Sequence, residues 1–141
     1  MHNPVILSSL LVAFLWAIQT LAQKHALNNI QHETAFAVFS VVYAILMIFF
    51  IGYYKNIIHK DIQNITKPMV LIILATTVFT FVANLLYYRI LKHNGASVIT
   101  ALTSTGPLFV ALMAFLFFGE NLKPKQIAGI AAVIGGVMLI S

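Results

Sequence analysis

The residues that could carry acid–base or metal chemistry lie outside the long apolar runs of this sequence. The three acidic residues, Glu33, Asp61 and Glu120, stand at run ends or between runs. A proton relay through a membrane commonly places a carboxylate within the hydrocarbon, and no run carries one. The five histidines also stand near run ends and lack metal-ligand spacing, and no nucleophile stands beside a base. The sequence therefore predicts neither catalysis nor a metal or other cofactor.

Neutral polar side chains do occur inside the runs. In the third run, Thr77, Thr80, Asn84 and Tyr88 are three or four residues apart and share one helical face. Such groups either hydrogen-bond between helices or form a polar pathway through the bundle, and both interpretations are open. For a pathway, the predicted cavity-lining residues are Trp16, Tyr43, Asn84, Tyr88, Thr103 and Pro107.

Pro107 stands at the midpoint of the fourth run. Its ring removes the helical hydrogen bond to the Thr103 carbonyl and displaces that carbonyl. A freed carbonyl in the membrane needs a hydroxyl, a water or a ligand as its partner. The sequence thus predicts either a packing kink, with Thr103 or Ser104 as partner, or a broken helix of the kind that transporters use at the midplane.

These residues are positioned by five apolar runs. Of the 141 residues, 61% are hydrophobic and 8% are charged, whereas a typical globular domain has about 45–50% and about 25%. This composition excludes a soluble enzyme, a disordered chain and a nucleic-acid-binding module. A helix of about 20 residues crosses the hydrocarbon. The fold class is therefore an all-α membrane protein of one domain, 1–141, with five predicted transmembrane helices at about 5–22, 34–54, 69–91, 96–118 and 124–141.

The net charge of +5 fits a membrane protein, because the cations lie between the apolar runs. Anionic lipid headgroups and topology explain them, and no nucleic-acid partner is predicted. One side of the predicted bundle carries five lysines and the other carries Lys24, Arg89 and Lys92. The positive-inside rule then predicts a multi-pass protein of the cell (inner) membrane, with a cytoplasmic N-terminus, an external C-terminus and only a weak bias.

Two further segments have a pattern of their own. The linker at 55–67 carries Ile58, Ile62 and Ile65 at helical spacing, and is either an interfacial amphipathic turn or a loop. In the fifth run, Ala128, Ala132 and Gly136 recur every four residues. Small residues let helix backbones approach closely, so this face is predicted to pack against a neighbouring span or a second chain.

The stretch Tyr87–Val98 (YYRILKHNGASV) resembles the junction of the third and fourth spans in EamA-like domains of the drug/metabolite transporter superfamily. Two further sets of residues resemble other parts of that domain. Its end is similar to the pattern Pro107, Gly119-Glu120, Gln126, Gly129 and Gly136, and its first span to Leu15-Trp16-Ala17. The resemblance implies a small-solute transporter whose cavity forms near mid-membrane, with Trp16 and Pro107 at matching motif positions. It also implies a structural or gating role for Gly119 and Glu120, although Glu120 could simply cap the fifth helix.

Members of that family typically carry two such five-span repeats in inverted orientation, ten helices in all, and this sequence holds one. One half cannot alternate access around a cavity formed by two halves, so a dimer is expected. An antiparallel homodimer and a heterodimer with another half-size chain are both open. The small multidrug resistance proteins resemble such a solution, but their first span holds a glutamate where this one has Trp16 and Gln19.

The sequence thus predicts a half-size membrane transporter of small metabolites or drugs that works by alternating access as a dimer. Its partners would be a small-molecule substrate, the lipid bilayer and a second half-size chain. One alternative is a subunit of a flippase for lipid-linked sugars, and another is a membrane scaffold or accessory subunit without transport activity.

Overall fold

The apolar runs form helices because a backbone inside lipid must satisfy its own hydrogen bonds. A computed structural model describes the backbone of residues 3–119 and 123–140. In these ranges the chain forms α1 (Asn3–Leu27), α2 (His32–Tyr53), α3 (Lys55–Ile62), α4 (Lys67–His93), α5 (Ala96–Thr103), α6 (Gly106–Phe118) and α7 (Pro124–Ile140). Unit 1 comprises Met1–His93 and contains α1 to α4, and unit 2 comprises Asn94–Ser141 and contains α5 to α7.

Four segments of the described chain are long and apolar enough to cross a membrane: Pro4–Leu27, His32–Tyr53, Lys67–His93 and Ala96–Phe118. The fifth run is a shorter apolar helix, α7, of 17 residues. At 1.5 Å per residue it rises about 26 Å, close to the hydrocarbon thickness of about 30 Å. The all-helical membrane fold predicted from the sequence is confirmed.

Unit 1 is packed at one end only. Its buried apolar side chains, Leu27, Ala35, Tyr88 and Leu91, all come from the C-terminal parts of α1 and α4 and the N-terminal part of α2. Elsewhere in these helices, every described side chain at 4–19, 37–53 and 67–84 is exposed, meaning uncovered by protein. The three helices are thus held together at the end where α1 and α4 finish.

The linker that the sequence left as an amphipathic turn or a loop contains a helix, α3. It starts directly after Tyr54, which closes α2, and the Ile58 amide donates to the Tyr54 carbonyl at 3.1 Å. After Ile62 the chain turns, with the Asn64 side-chain amide donating to the Lys60 carbonyl at 3.2 Å. Two short connections therefore fix α3 between the end of α2 and the start of α4.

In unit 2 the predicted fourth span is interrupted. The helix stops at Thr103 and resumes at Gly106, so Pro107 is the second residue of α6. A proline is tolerated there because the first amides of a helix need no intrahelical partner. At the other end of α6, Gly119 has φ +63°, and its amide donates to the Ala114 carbonyl. Ile99, Ala111 and Val137 are the buried apolar side chains in the described part of this unit.

Candidate functional site

Two side-chain hydrogen bonds connect α1 to α4 at the packed end of unit 1. Gln23 donates from Nε2 to the Tyr88 hydroxyl at 2.7 Å, and each residue is only 4% exposed. Three residues before Gln23 on α1, the Thr20 hydroxyl lies 3.1 Å from the hydroxyl of Tyr87, the residue before Tyr88 on α4. The paired residues follow the same order along both helices, so α1 and α4 run parallel. Polar groups buried in a bilayer favour such mutual pairing over exposure to hydrocarbon.

Aromatic rings from α2 cover the same tyrosine. The Phe36 ring meets the Tyr88 ring edge-on at 5.6 Å between centroids, and the Phe39 ring lies 5.9 Å from it. Phe36 also meets Phe81 of α4 at 5.1 Å. Edge-to-face pairs add about 0.5–1.5 kcal/mol beyond burial. Tyr88 therefore joins three helices, with its ring against α2 and its hydroxyl bonded to α1.

Two lysines cap the C-termini of α1 and α4 reciprocally. Lys24 of α1 donates from Nζ to the carbonyls of Leu91 (2.8 Å) and Lys92 (2.9 Å), in the last turn of α4. Lys92 of α4 donates from Nζ to the Ile30 carbonyl at 2.6 Å and approaches the Leu27 carbonyl at 3.4 Å, where α1 ends. Cations favour helix C-termini because the last carbonyls are unpaired and carry the negative end of the dipole. We call Gln23, Lys24, Tyr88 and Lys92 the α1–α4 clamp.

The clamp contains no nucleophile paired with a base. In the described ranges no group of three His, Asp or Glu side chains is placed to hold a metal ion. At the start of α2, His32 Nε2 lies 3.3 Å from Glu33 Oε1. The α1–α4 clamp therefore holds two helices together through hydrogen bonds.

The other residues predicted for a cavity in unit 1 lie away from the clamp. Trp16 is 68% exposed and Tyr43 is 66% exposed, each near the middle of its helix. Asn84 is exposed too, and its side chain hydrogen-bonds to no other residue of the described chain. The predicted set therefore divides: Tyr88 is part of the clamp, and the other three lie where α1, α2 and α4 are uncovered.

The hydroxyls of the threonines on the same face of α4 hydrogen-bond within their own helix. Thr77 donates to the Ile73 carbonyl and Thr80 to the Thr76 carbonyl, each at 2.8 Å and within one turn of their own helix. They need no partner on another helix. Of the two interpretations of this polar face, interhelical bonding holds for Tyr88 and not for these two threonines.

Around the break in unit 2, the hydroxyl protons are all used on earlier carbonyls. Thr103 donates to the Ile99 carbonyl (2.9 Å) and Ser104 to the Thr100 carbonyl (2.8 Å). Thr105 donates to the Leu102 carbonyl at 2.8 Å. Pro107 has no amide proton to offer the Thr103 carbonyl. The prediction that Thr103 or Ser104 supplies the partner of this carbonyl is therefore wrong.

Two surface grooves adjoin this break within unit 2. The larger, of about 310 Å³, is lined by Pro107, the hydroxyl residues Ser104 and Thr105, and Gln126 and Gly129 of α7, with apolar residues between them. The smaller, of about 230 Å³, is entirely apolar and lies between α6 and α7 along Leu108, Phe115 and Ile127. The surface of the larger groove is almost entirely apolar, and the hydroxyls of Ser104 and Thr105 donate to carbonyls of their own helix.

The small residues predicted for helix packing are uncovered. Ala128, Ala132 and Gly136 are exposed on α7, and a Cβ added at Gly136 would meet no atom within 4 Å. At the other motif, Gly119 ends α6 in the left-handed conformation, which fits the structural role expected of it. Glu120 lies outside the described residues.

Sequence reasoning missed three members of the clamp. Gln23 follows the first uncharged run, and Lys24 and Lys92 were used only to count charges on each side. Their positions in the last turns of two helices were the available signal, because cations there favour the terminal carbonyls. Which terminus each lysine caps was not visible, since either could cap its own helix.

Together these features define a class: an all-helical, multi-pass membrane protein. The chain belongs to the EamA-like transporter family, whose family model matches residues 3–141. The resemblance seen in the sequence is thereby confirmed, and members of this family are transporters and not enzymes. The chain is also 29% identical over 139 residues to an uncharacterized protein of Methanocaldococcus jannaschii, covering 99% of this chain and 97% of that protein. No solved protein structure matches the chain.

Proposed function

We propose that this protein is one half of a small-solute transporter and works by alternating access in a dimer. Family membership over residues 3–141 supports transport as the activity. The relative from Methanocaldococcus jannaschii aligns with this chain over 97% of its own length. A pair of such domains, inverted or parallel, can enclose a cavity at the midplane that neither has alone.

The observation that carries this proposal is the contrast between the two ends of unit 1. At one end the clamp ties α1 to α4, and beyond it Trp16, Tyr43 and Asn84 are uncovered. Trp16 lies about 20 Å along a helix of 25 residues, and Tyr43 about 17 Å along one of 22, so both are near mid-membrane. Aromatic rings and an amide at that depth can contact a solute of mixed polarity.

Tyr88 in unit 1, and Thr103 and Pro107 in unit 2, are proposed as solute-contacting residues on separate grounds. Tyr88 lies one turn beyond Asn84 on the same face of α4, but it is covered in the clamp, so it would border the solute only where the packed end begins. At Pro107 the helix break leaves the Thr103 carbonyl without its usual donor, and broken helices at mid-membrane are a common site of solute contact.

The test is solute flux in proteoliposomes, using a panel of radiolabelled amino acids, nucleosides and cationic dyes. Trp16→Ala and Asn84→Leu are expected to abolish flux of the transported panel member while the protein still reconstitutes. Leu11→Ala, on another face of α1, and Thr77→Val, whose hydroxyl bonds only within α4, are the matched controls. Absence of flux for the whole panel, with or without a candidate half-size partner, would count against transport.

A flippase subunit for lipid-linked sugars is the second candidate. The apolar groove between α6 and α7 favours it, because an open groove of about 230 Å³ with an apolar lining suits an acyl or polyprenyl chain. Accelerated flipping of a fluorescent lipid, without solute flux, would select this function. A scaffold without transport activity predicts instead that Asn84→Leu and Thr103→Val leave any cellular phenotype unchanged.

The proposed orientation has the N-terminus in the cytoplasm and the C-terminus outside the cell membrane. Fusion reporters at both termini test it directly. Both orientations in one population would support an antiparallel homodimer, and one orientation would point to a parallel dimer or to a separate inverted partner.

A further inference from the structure

The helix α3 is placed at a membrane boundary by its neighbours. It lies between Tyr53, where one spanning helix ends, and Lys67, where the next begins. A cluster of aromatic rings marks the same level: Tyr54 lies 4.7 Å from Phe50 and 4.8 Å from Tyr53, centroid to centroid. Tyrosines are enriched at the membrane–water interface, so this level corresponds to the headgroup region.

The faces of α3 differ in chemistry. Lys55 and His59 are four residues apart and lie on one face, with Asn56 and Lys60 beside them. Ile58 and Ile62 are also four residues apart and lie on the adjoining face, next to Lys55, with Ile57 and Asp61 further round the helix. Ile58 is half-buried, whereas Ile62 is 57% exposed and uncovered by protein.

The cations of α3 are available to an external anion. Lys55 and Lys60 are exposed, and so is Lys67 at the start of α4. Asp61 is the one acidic residue in this segment, and no lysine of the segment forms a salt bridge with a described acidic side chain. The segment 55–67 thus presents a net positive charge beside an apolar face, at the level of the lipid headgroups.

We propose that α3 is an interfacial helix that binds anionic phospholipid headgroups. Ile58 and Ile62 face the acyl boundary, while Lys55 and Lys60 contact lipid phosphates from above. Helices with this division of charge lie in the plane of the membrane surface, attracted both by apolar burial and by anionic lipid. The helix would hold the ends of α2 and α4 at that surface, and this role is independent of the transported solute.

The first experiment maps the depth of each face. The protein has no cysteine, so single cysteines can be labelled with a fluorophore without removing any native thiol. In proteoliposomes, labels on I58C and I62C are expected to be quenched by nitroxide lipid, and labels on N56C and H59C by aqueous iodide. Equal iodide quenching at all four positions would show that α3 lies in water and would overturn the proposal.

The second experiment tests the lipid charge. A label on I62C is quenched by spin-labelled phosphatidylglycerol or phosphatidylcholine in nanodiscs, which reports lipid bound at α3 itself. Each lysine near an anionic surface contributes a factor of about five, so K55Q/K60Q is expected to lower the preference for phosphatidylglycerol by about 25-fold. D61N, which removes the opposing charge on the same helix, is expected to raise it.

The matched control is K123Q/K125Q, which removes two exposed lysines from a different connection. It is expected to leave the quenching at α3 unchanged, and an equal loss would show an effect of net charge alone and overturn the site. The last experiment adds inorganic phosphate as a competitor. Displacement of phosphatidylglycerol by phosphate, beyond that caused by chloride at equal ionic strength, would indicate a soluble-anion site and also overturn the lipid assignment.

Discussion

Replacing Tyr88 with phenylalanine removes one oxygen atom from the packed end of unit 1 and leaves the ring in place. The ring contacts with Phe36 and Phe39 are therefore kept, and only the 2.7 Å bond from Gln23 is lost. Because Gln23 is 4% exposed, its amide is then left without that acceptor. Tyr88→Phe thus removes one interhelical hydrogen bond and leaves the buried Gln23 amide without its acceptor, while the packing is kept.

The expected cost follows from two terms. A hydrogen bond between side chains of membrane helices averages about 0.6 kcal/mol. An unsatisfied buried polar group costs about 1–3 kcal/mol. We expect Tyr88→Phe to lower the free energy of unfolding by about 1–2 kcal/mol. Gln23→Leu should cost a similar amount, and the double variant should cost less than the sum of the two, by about 0.5–1.5 kcal/mol.

The assay is unfolding by SDS titration from lipid–detergent micelles, followed by circular dichroism. Tyr43→Phe is the control, because that tyrosine is 66% exposed and loses no buried bond; its effect should be near zero. Strictly additive costs for Gln23→Leu and Tyr88→Phe would refute the direct bond. A Tyr88→Phe protein as stable as the wild type would refute the clamp as a source of stability.

Three further predictions concern the clamp, the helix break and the end of α6. Lys24→Met should lower the free energy of unfolding, measured by SDS titration, by about 1–2 kcal/mol, because it removes a charged donor from two terminal carbonyls. Lys92→Met should lower it by a similar amount for the same reason. Pro107→Ala restores an amide proton at the break, so α5 and α6 should join into one helix. Amide hydrogen exchange at 104–106 should then slow, and unchanged exchange would contradict this. Gly119→Ala should lower the free energy of unfolding by about 1 kcal/mol, because Gly119 has a φ of +63°. Gly52→Ala is the control: Gly52 lies within α2 with open space around an added Cβ, so this change should not destabilise the protein.

Much of the fold could be predicted because it depends on local properties. Hydropathy and run length located the long helices, and they agree with Pro4–Leu27, His32–Tyr53 and Lys67–His93 apart from a few residues at each end. Pro107 predicted the interruption of the fourth run, since a proline acts on its own helix wherever the helix packs. The segment 55–67 was harder, because an isolated short amphipathic sequence is equally compatible with a turn or a helix.

The candidate site was less predictable because it depends on partners far apart in sequence. That Gln23 meets Tyr88, 65 residues later, depends on the register of α1 against α4. For the same reason, only the structure showed that Lys24 caps α4 and Lys92 caps α1. The sequence alone determined a membrane protein with an uncharged interior, since composition and run length suffice for that. Tertiary structure decided which polar groups are paired at the clamp and which remain uncovered, because pairing is a property of helix packing and not of any one helix.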